Sequence, residues 1–585
     1  MSRALPALAR RGAVGALIAV LTVACVSIPS SSEVRQVEAV GVQHEPELIT
    51  NVPPGPARGA TREEVVSGFF AAMLGYPQTP ATARQFLTPQ AAASWDPGQG
   101  LVVYDNQEIT ERQGGVSVRT HTLGSLNARG SWSSTKPSAS TAQAMMRLLR
   151  VRGEWRINNP PAGTLVDSDY FDLYFRPFSL YFFEPTLSVL TPDPIYLLLG
   201  EGTATSLVSD LLLGPSRELA GVAATAVPPD SEVVVAVSIS ASGQVDVPLS
   251  PAVLELSPEG LRLLAAQLTW TLRQLPEATA ISLTVDGDRL DVPGVSVDGV
   301  FGVEEFTGYD PSFAAQLALF ALSPDGLVTV TEEEATVLPG PIAAAARRAR
   351  YAAVDPSASL AAVVDKKGRV LVGGTAASAP EPAAWFKGGD SLLRPSWDVH
   401  EVLWLINLTR RGAKVYAATA DGRRRVPAPG LDGEQVKAFA VSRDGVRLAA
   451  VVRSGKSSRL VTSVIDRAAR DPSAVSLSAA HDVISPGFTA TNLTGLAWVS
   501  PTAVMVLGRE EGGDQQPFEV TIDGSRASAV GGFLPVEPVS VAAGPNVDAP
   551  VVIGGANGEI YVQTPELQWD RFGGSTPLRA PVYPG

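Results

Sequence analysis

The sequence predicts a multidomain, mainly β protein in which two small α+β domains are followed by a β-propeller of six to seven blades. The chain has 585 residues, enough for about three or four domains. Its 45% apolar content suits folded cores rather than disorder. The 54 glycines and 47 prolines indicate many turns. From about residue 308 to 585, short apolar runs alternate with Pro/Asp/Gly turns, as expected of propeller blades.

Residues 1–24 have the features of a secretory signal peptide. Three arginines (Arg3, Arg10 and Arg11) form a basic leader ahead of an apolar run that ends at Ala24. That run is too short to span a membrane, which needs about 20 apolar residues. Cys25, the only cysteine of the chain, follows directly, so no intramolecular disulfide can form.

The segment around Cys25 resembles a bacterial lipobox, although Thr22 stands where the lipobox usually carries leucine. The resemblance implies that the Cys25 thiol receives a diacylglycerol and that the new N-terminus is acylated. Residues 25–60, rich in proline and serine, are then a lipidated flexible tether. The formal net charge is −13, and it becomes −16 without the leader and its three arginines. This charge argues against a nucleic-acid partner and leaves membrane attachment to the acyl chains.

Residues 61–165 are predicted to form the first α+β domain. Thr61 and Glu64 make a capping box ahead of a helix with apolar residues at helical spacing up to Met73. A second short helix and an antiparallel sheet should follow, and His121 is the only histidine of this domain. The order of elements is similar to the NTF2-like fold, which hosts both enzymes and binding modules. The predicted elements are a helix over 81–87 and strands in 101–104, 116–119, 142–151 and 154–157.

Residues 168–300 are predicted to form the second α+β domain. Its clearest element is a helix capped by Ser257, with Pro258 at its first position and Pro276 at its end. An earlier helix should follow residues 192–194 and carry Leu207 and Leu211. The predicted strands are 170–175, 180–183, 233–239, 243–250 and 281–285, the last meeting an Asp286–Gly287 turn.

Four motifs stand out in this second region: 211–216, 224–228, 245–250 and 267–272. In this order they resemble the GerMN domain of spore germination and sporulation proteins. The resemblance extends over about residues 190–290, and it implies an α+β fold. The motif residues themselves are typical of core positions and of a helix stop, and they contain no titratable cluster that would bind a ligand.

The C-terminal region, 308–585, contains six repeats of an apolar run, a turn and a second apolar run. The spacing of about 40–50 residues is typical of propeller blades. Six blades are visible, and the alternative is a ring of seven, with the seventh blade built from strands at the two ends of the region. Asp421–Gly422 and Asp523–Gly524 suit hairpin turns. The aromatic residues Trp385, Phe386, Trp397 and Trp404 are blade core or, alternatively, an exposed binding face. The turns lie at residues 325, 355, 398, 444, 501 and 547.

The sequence carries no recognisable catalytic, cofactor or metal signature. A nucleophile elbow, a His-Glu-x-x-His pair, a phosphate-binding loop and a calcium loop are all missing. His400 and His481 lie on separate repeats, and Glu332–Glu334 is typical of a solvated surface. We therefore predict a protein that is not an enzyme and has no cofactor and no metal. The isolated carboxylates Asp167, Asp169 and Asp172 specify no hydrolase pair.

The order of lipobox, NTF2-like domain, GerMN domain and propeller resembles the LpqB family of actinobacterial lipoproteins. The resemblance implies a non-enzymatic protein anchored on the extracytoplasmic face of the cell membrane. It also implies contact with the extracytoplasmic domain of an MtrB-like sensor histidine kinase. The protein would then modulate the MtrA–MtrB two-component system, with effects on cell-envelope homeostasis and division. The alternative is a lipoprotein that binds cell-wall glycan or, less readily, hydrolyses it.

Overall fold

The computed structural model describes residues 51–76, 80–312, 318–388, 391–455, 457–544 and 549–585. The predicted signal peptide (residues 1–24), Cys25 and most of the predicted tether (25–60) lie outside the described residues. Across the described ranges no helix is both long enough and apolar enough to cross a membrane.

The first α+β domain packs short helices against a five-stranded sheet. Helix α1 begins as predicted, because Thr61 Oγ1 accepts a hydrogen bond from Glu64 N and the Glu64 carboxylate accepts one from Thr61 N. The predicted strand 142–151 is two strands, of which the first joins the sheet and the second forms a separate hairpin. The elements are α1 Arg62–Met73, α2 Pro80–Arg84, α3 Pro89–Ser94, β1 Leu101–Arg112, β2 Gly115–Leu126, β3 Trp132–Ser134, β4 Thr141–Met146, β5 Leu148–Val151, β6 Glu154–Ile157 and β7 Thr164–Asp167.

The predicted strand 170–175 is wrong, because this segment is helix α4, Ser168–Tyr174. The side chain of Asp167 accepts a hydrogen bond from Tyr170 N and so caps the helix. Three buried aromatic side chains of the helix, at positions 170, 171 and 174, then share one face. A helix cap and helical burial therefore override the β propensity of the aromatic residues.

The second α+β domain has helices α5 and α6 over a small mixed sheet, in which β11 and β12 are parallel. Ser257 caps α6 as predicted. Pro192 and Pro194 were predicted to lead into a helix, but they lie inside β9, a strand of a two-stranded sheet where missing backbone donors are tolerated. Of the predicted strand 233–239, only the last two residues, Ser238–Ile239, form a strand, β10. The elements are β8 Phe175–Phe183, β9 Leu190–Leu198, α5 Thr203–Leu212, β10 Ser238–Ile239, β11 Gln244–Pro248, α6 Pro258–Leu272, β12 Ala280–Val285, β13 Asp288–Arg289 and β14 Val300–Gly302.

The propeller has six blades in the part of the chain that the structure describes. Strands from the two ends of the region do pair as predicted, but they complete the first of the six blades and form no seventh one. Helix α7 (Pro341–Ala346) packs beside the first two blades. From the innermost strand outward, blade 1 has β39 Arg579–Val582, β15 Leu319–Ser323, β16 Gly326–Val330 and β17 Ala335–Val337, and blade 2 has β18 Ala349–Val354, β19 Leu360–Asp365, β20 Val370–Gly374 and β21 Ala383–Phe386. Blade 3 has β22 Ser396–Trp397, β23 Leu403–Thr409, β24 Gly412–Thr419 and β25 Gly422–Val426, and blade 4 has β26 Val436–Val441, β27 Arg447–Ser454, β28 Ser457–Ala468 and β29 Asp471–Leu477, with β30 His481–Asp482 also paired to β28. Blade 5 has β31 Leu496–Ser500, β32 Ala503–Arg509, β33 Gln515–Thr521 and β34 Ala527–Ala529, and blade 6 has β35 Pro538–Ala542, β36 Val552–Gly555, β37 Ile560–Gln563 and β38 Trp569–Phe572.

The aromatic residues of blades 2 and 3 are core residues rather than a binding face. Trp397 and Trp404 are 0% exposed, and Phe386 is buried. Trp385 is half-buried and packs edge-to-face against the Trp397 ring at 5.7 Å. The exposed aromatic surface considered for a glycan therefore does not exist at these positions.

Candidate functional site

A buried arginine joins the propeller to the second α+β domain. Arg447, at the start of β27, donates hydrogen bonds from Nη1 to Thr191 Oγ1 (3.2 Å) and from Nη2 to Pro192 O (2.9 Å). Its Nε lies 3.7 Å from Glu218 Oε1, and its side chain is only 1% exposed. Charged hydrogen bonds of this kind are stronger than neutral ones, so they fix the angle at which the two domains meet.

A carboxylate of the second domain reaches the propeller beside this contact. Glu184 Oε2 lies 3.4 Å from His400 Nε2; the Glu184 side chain is 1% exposed and the His400 side chain 10% exposed. Burial alone would raise the pKa of Glu184. The neighbouring His400 and the hydrogen bonds from Thr186 and Ser188 outweigh this effect and lower the pKa to about 2. The carboxylate is thus ionised at neutral pH and is held by contacts from both sides of the domain boundary.

The first α+β domain is tied to the same assembly. Arg129 Nη2 lies 3.2 Å from Asp193 Oδ2, which links the first domain to β9 of the second. The Ser134 hydroxyl donates to the Gly524 carbonyl of blade 5 (3.2 Å). We call these contacts, together with those of Arg447 and Glu184, the domain junction; through it each α+β domain contacts the propeller.

A groove at the boundary of blades 5 and 6 is the clearest candidate for a partner site. Its volume is about 900 Å³, and every residue that lines it belongs to the propeller. Leu567 (59% exposed) is one of the lining residues, and Phe533 (87% exposed) lies two residues along the chain from another, Gly531. Gly532 N donates to Leu567 O (2.9 Å), so the two loops that carry these side chains are joined. We call Phe533 and Leu567 the apolar patch; exposed clusters of this kind mark interaction sites more often than isolated surface residues do.

Leu567 also has an unusual backbone. Its φ is +60°, a left-handed conformation that is unfavourable for a bulky residue and that a glycine would adopt at no steric cost. The turn is closed by a hydrogen bond from Leu567 N to Thr564 O (2.9 Å). A leucine that is both strained and exposed serves no packing purpose, which favours a role in binding.

The groove is acidic on balance. Glu332, Glu519 and Asp570 line it together with one arginine, Arg571, whose guanidinium is paired with Glu559 at 3.0 Å. Burial raises the pKa of Glu519, and Arg526 opposes this shift. The groove therefore suits a partner segment that combines an apolar side chain with a positive charge.

The remaining residues singled out in the sequence have structural roles or lie apart. His121 pairs with Asp105 on the surface, Nδ1 to Oδ1 2.6 Å, and Glu332–Glu334 is exposed as predicted. The three carboxylates of the hydrolase alternative form no pair: Asp167 caps α4, Asp169 is exposed and Asp172 reaches Arg526. Cys25 lies outside the described residues. Among the residues that are described, no three His, Cys, Asp or Glu side chains cluster as a metal site would require.

Sequence reasoning missed both the domain junction and the apolar patch. Arg447 carried a signal, since it is a charge inside the apolar run 446–452, where an unpaired guanidinium could not be buried. Phe533 and Leu567 carried none, because exposure of an apolar side chain in a loop depends on the neighbouring blade.

The families that this chain resembles divide it into the same three parts as its fold. Three family models match consecutive stretches: "Lipoprotein LpqB, N-terminal domain" over residues 55–172, "Sporulation and spore germination" over 179–291 and "Lipoprotein LpqB beta-propeller domain" over 325–584. Together with the fold, these matches define a lipoprotein in which an N-terminal domain and a GerMN domain precede a β-propeller. The chain belongs to the LpqB lipoprotein family.

Relatives in this family match over nearly their whole length. "Lipoprotein LpqB" of Cutibacterium acnes is 27% identical over 555 residues, 92% of each chain. "Lipoprotein LpqB" of Thermobifida fusca is 27% identical over 639 residues, 97% of this chain and 98% of the relative. These relatives are named as lipoproteins and not as enzymes. Among solved structures, a nidogen/laminin complex matches 45% of this chain and 97% of its own with 10% identity, at a TM-score of 0.34.

Proposed function

We propose that this protein is a non-enzymatic lipoprotein, anchored through Cys25 on the extracytoplasmic face of the membrane, that contacts a sensor histidine kinase. The partner is the extracytoplasmic domain of an MtrB-like kinase, and the contact modulates a two-component system that serves cell-envelope homeostasis and division. The observation that carries the proposal is the acidic groove with its apolar patch on a propeller held in place by the domain junction.

The domain junction supports a binding role because it fixes the orientation of the propeller relative to the second α+β domain. A flexible linker alone would let the propeller face any direction, whereas the buried contacts of Arg447 and Glu184 hold it against the second domain. A lipid anchor also raises the local concentration of the groove near a membrane-embedded partner, so modest affinity suffices.

The patch supports a protein partner through its size. Burying a leucine side chain contributes about 1.5–3 kcal/mol. Loss of that contribution lowers affinity roughly tenfold to a hundredfold. We assign Leu567 as an anchor of the contact and Phe533 as its neighbour.

The test uses the full-length lipidated protein and the full-length kinase in one vesicle preparation. A photo-reactive amino acid in place of Phe533 should crosslink to the extracytoplasmic domain of the kinase, and adding the protein should change kinase autophosphorylation. Leu567→Gly should weaken both signals at least tenfold.

Leu187→Gly is the matched control. Leu187 is also an exposed leucine with a left-handed backbone (φ +61°), but it lies in the turn between β8 and β9, away from the groove. Equal loss of binding in both variants would reject the groove as the site. Recovery of soluble glycan fragments on the purified protein, with no crosslink to a kinase, would reject the function itself.

A further inference from the structure

The hairpin formed by β5 and β6 in the first α+β domain is strongly basic. Four of the ten residues from 147 to 156 are arginines, and only one is acidic, Glu154. Three of the arginines are exposed and the last is half-buried. We call this stretch the basic hairpin; its arginines are Arg147, Arg150, Arg152 and Arg156.

The positive charges of the basic hairpin are not neutralised by the protein. Within the described part of the chain, no carboxylate lies at ion-pair distance from any of its four guanidinium groups. Arg150 lies over the Trp155 ring at 4.8 Å, and Arg156 Nη1 donates to Trp155 O (2.6 Å). Elsewhere in the same domain, by contrast, Arg119 is paired with Glu108 at 2.6 Å. The hairpin therefore presents uncompensated positive charge at the surface.

The single carboxylate of the hairpin contacts the end of the predicted tether. Glu154 Oε2 accepts a hydrogen bond from Gly59 N (2.9 Å). Asn51, the first described residue, is 26 positions after Cys25, a chain length of at most about 90 Å. The basic hairpin thus belongs to the domain that follows the lipid site most closely in the chain. A chain anchored at Cys25 keeps the start of this domain within that distance of the bilayer.

One side of the hairpin packs on its own domain and the other is open. Leu148 and Trp155 pack against the core of the domain. Leu149 pairs with Arg156 across the two strands and is 52% exposed. The open side thus combines an exposed leucine with arginines. Surfaces that lie on membranes combine the same two features, since buried apolar area and attraction to anionic lipids both contribute to binding.

The domain that carries the hairpin is the basic part of an acidic chain. Residues 61–165 contain ten Lys or Arg and seven Asp or Glu, a formal charge of +3. Residues 166–585 contain 31 Lys or Arg and 48 Asp or Glu, a formal charge of −17. An anionic membrane surface attracts the first part and repels the second. The acidic total of the chain therefore hides a local attraction that would orient the molecule.

We propose that the basic hairpin docks on an anionic phospholipid bilayer, with its arginines on lipid phosphates and Leu149 at the headgroup boundary. The proposal rests on the proposed anchorage through Cys25 and is independent of the groove. Each arginine near an anionic leaflet contributes a factor of about five to partitioning, and salt screens this attraction over about 8 Å. The contact is thus too weak to retain an unanchored protein at physiological salt, but it orients an anchored one. Through the domain junction it also sets the direction of the propeller.

The test places the full-length lipidated protein in vesicles of phosphatidylcholine, with or without phosphatidylglycerol. Flotation with the vesicles reports the anchor, and an apolar, environment-sensitive dye on Leu149→Cys reports the hairpin contact separately. Because Cys25 is the only native cysteine and is acylated, the dye has one site. The dye emission should shift to shorter wavelength only where phosphatidylglycerol is present, and high salt should reverse the shift.

Two double variants with the same change in charge distinguish the hairpin from the net charge. Arg147→Gln with Arg152→Gln removes two exposed side chains of the basic hairpin. It should lower the docking equilibrium constant, read from the dye shift, roughly twentyfold. Arg410→Gln with Arg411→Gln is the matched control, because these arginines form an exposed two-residue turn between β23 and β24 of blade 3. The control should dock as the wild type does.

The outcomes separate docking from anchorage. Equal losses in the two double variants, or an equal dye shift on vesicles without phosphatidylglycerol, would overturn the proposal. Binding of soluble polyphosphate with no dye shift on anionic vesicles would assign the hairpin to a soluble polyanion and overturn it as well. Flotation without a dye shift would reject docking and leave the anchor intact. If the protein did not float, the anchor would be rejected, and labelled Cys25→Ala protein in low-salt buffer would decide on docking: a dye shift with excess anionic vesicles supports it, and no shift rejects it.

Discussion

Arg447→Met tests whether the domain junction holds the propeller to the second α+β domain. Methionine keeps an unbranched apolar chain of similar length but removes the hydrogen bonds to Thr191 Oγ1 and Pro192 O. A hydrogen bond from a charged group contributes about 1.5–3 kcal/mol, so the two are worth about 3–6 kcal/mol before costs. The variant also avoids the desolvation cost of a buried guanidinium, which offsets several kcal/mol of this loss.

Which effect dominates is decided by the partners left behind. Thr191 is fully buried, so its hydroxyl and the Pro192 carbonyl lose a partner in a place that water does not fill. We therefore expect a net loss of about 2 kcal/mol, which for a domain of propeller size lowers the unfolding temperature by about 4–8 °C. Differential scanning calorimetry should show a single wild-type transition separating into two.

The control for this prediction is Arg453→Met on the same strand. Arg453 is exposed, and its side chain donates to Gly455 O of its own turn (3.1 Å), so we expect a change within about 0.5 kcal/mol. If Arg447→Met matched this control, or unfolded at a higher temperature than the wild type, the cost of burying the guanidinium would exceed its contacts. The reasoning about the domain junction would then be wrong.

Three further predictions concern single residues elsewhere in the chain. Glu184→Gln should lower the free energy of unfolding by about 3 kcal/mol at pH 7, because the pKa of Glu184 is about 2 in the folded state against its usual 4.5. The stabilisation by the ionised carboxylate is complete above about pH 5 and is lost as pH falls through 2. The free energies of unfolding of wild type and variant, measured with denaturant, should therefore converge at low pH, and a difference that stays constant with pH would contradict the prediction. Leu567→Gly should raise stability by about 1 kcal/mol through relief of its left-handed backbone, seen as a higher denaturation midpoint, whereas a lower midpoint would show that the leucine is packed. Cys25→Ala should leave the domains folded and release the protein from the membrane, which fractionation and lipid labelling would check; an unlabelled wild type would point to Thr22 as the reason.

The sequence predicted those elements whose signals are local. The helix that begins at Arg62 and the helix that begins at Pro258 carry their own caps. A hairpin does turn at Asp421, but one residue earlier than predicted, because Ala420 and Asp421 form the loop and Gly422 already begins β25. The predicted strand at 170–175 failed because its aromatic residues suit either a strand or a helix, and only the Asp167 cap decides between them.

The domain junction and the apolar patch were beyond local reasoning for a different reason. Arg447 and Thr191 meet only because the second α+β domain packs against blade 4. Phe533 and Leu567 come together only because adjacent blades place their loops side by side. Such pairs depend on domain packing and blade register, which turn residues and apolar runs do not encode by themselves.

The closing strand β39 has a consequence for the order of assembly. Phe320 pairs with Val582, about 260 residues further along the chain, so blade 1 combines the first and last strands of the propeller. Blades 2 to 6 can each fold from local hairpins, whereas closure of the ring must wait for the final strand to be synthesised and delivered. Until then β15 is an unpaired edge, ready to pair with another chain. The interval before ring closure is therefore the period in which this protein is most exposed to aggregation and most dependent on chaperones.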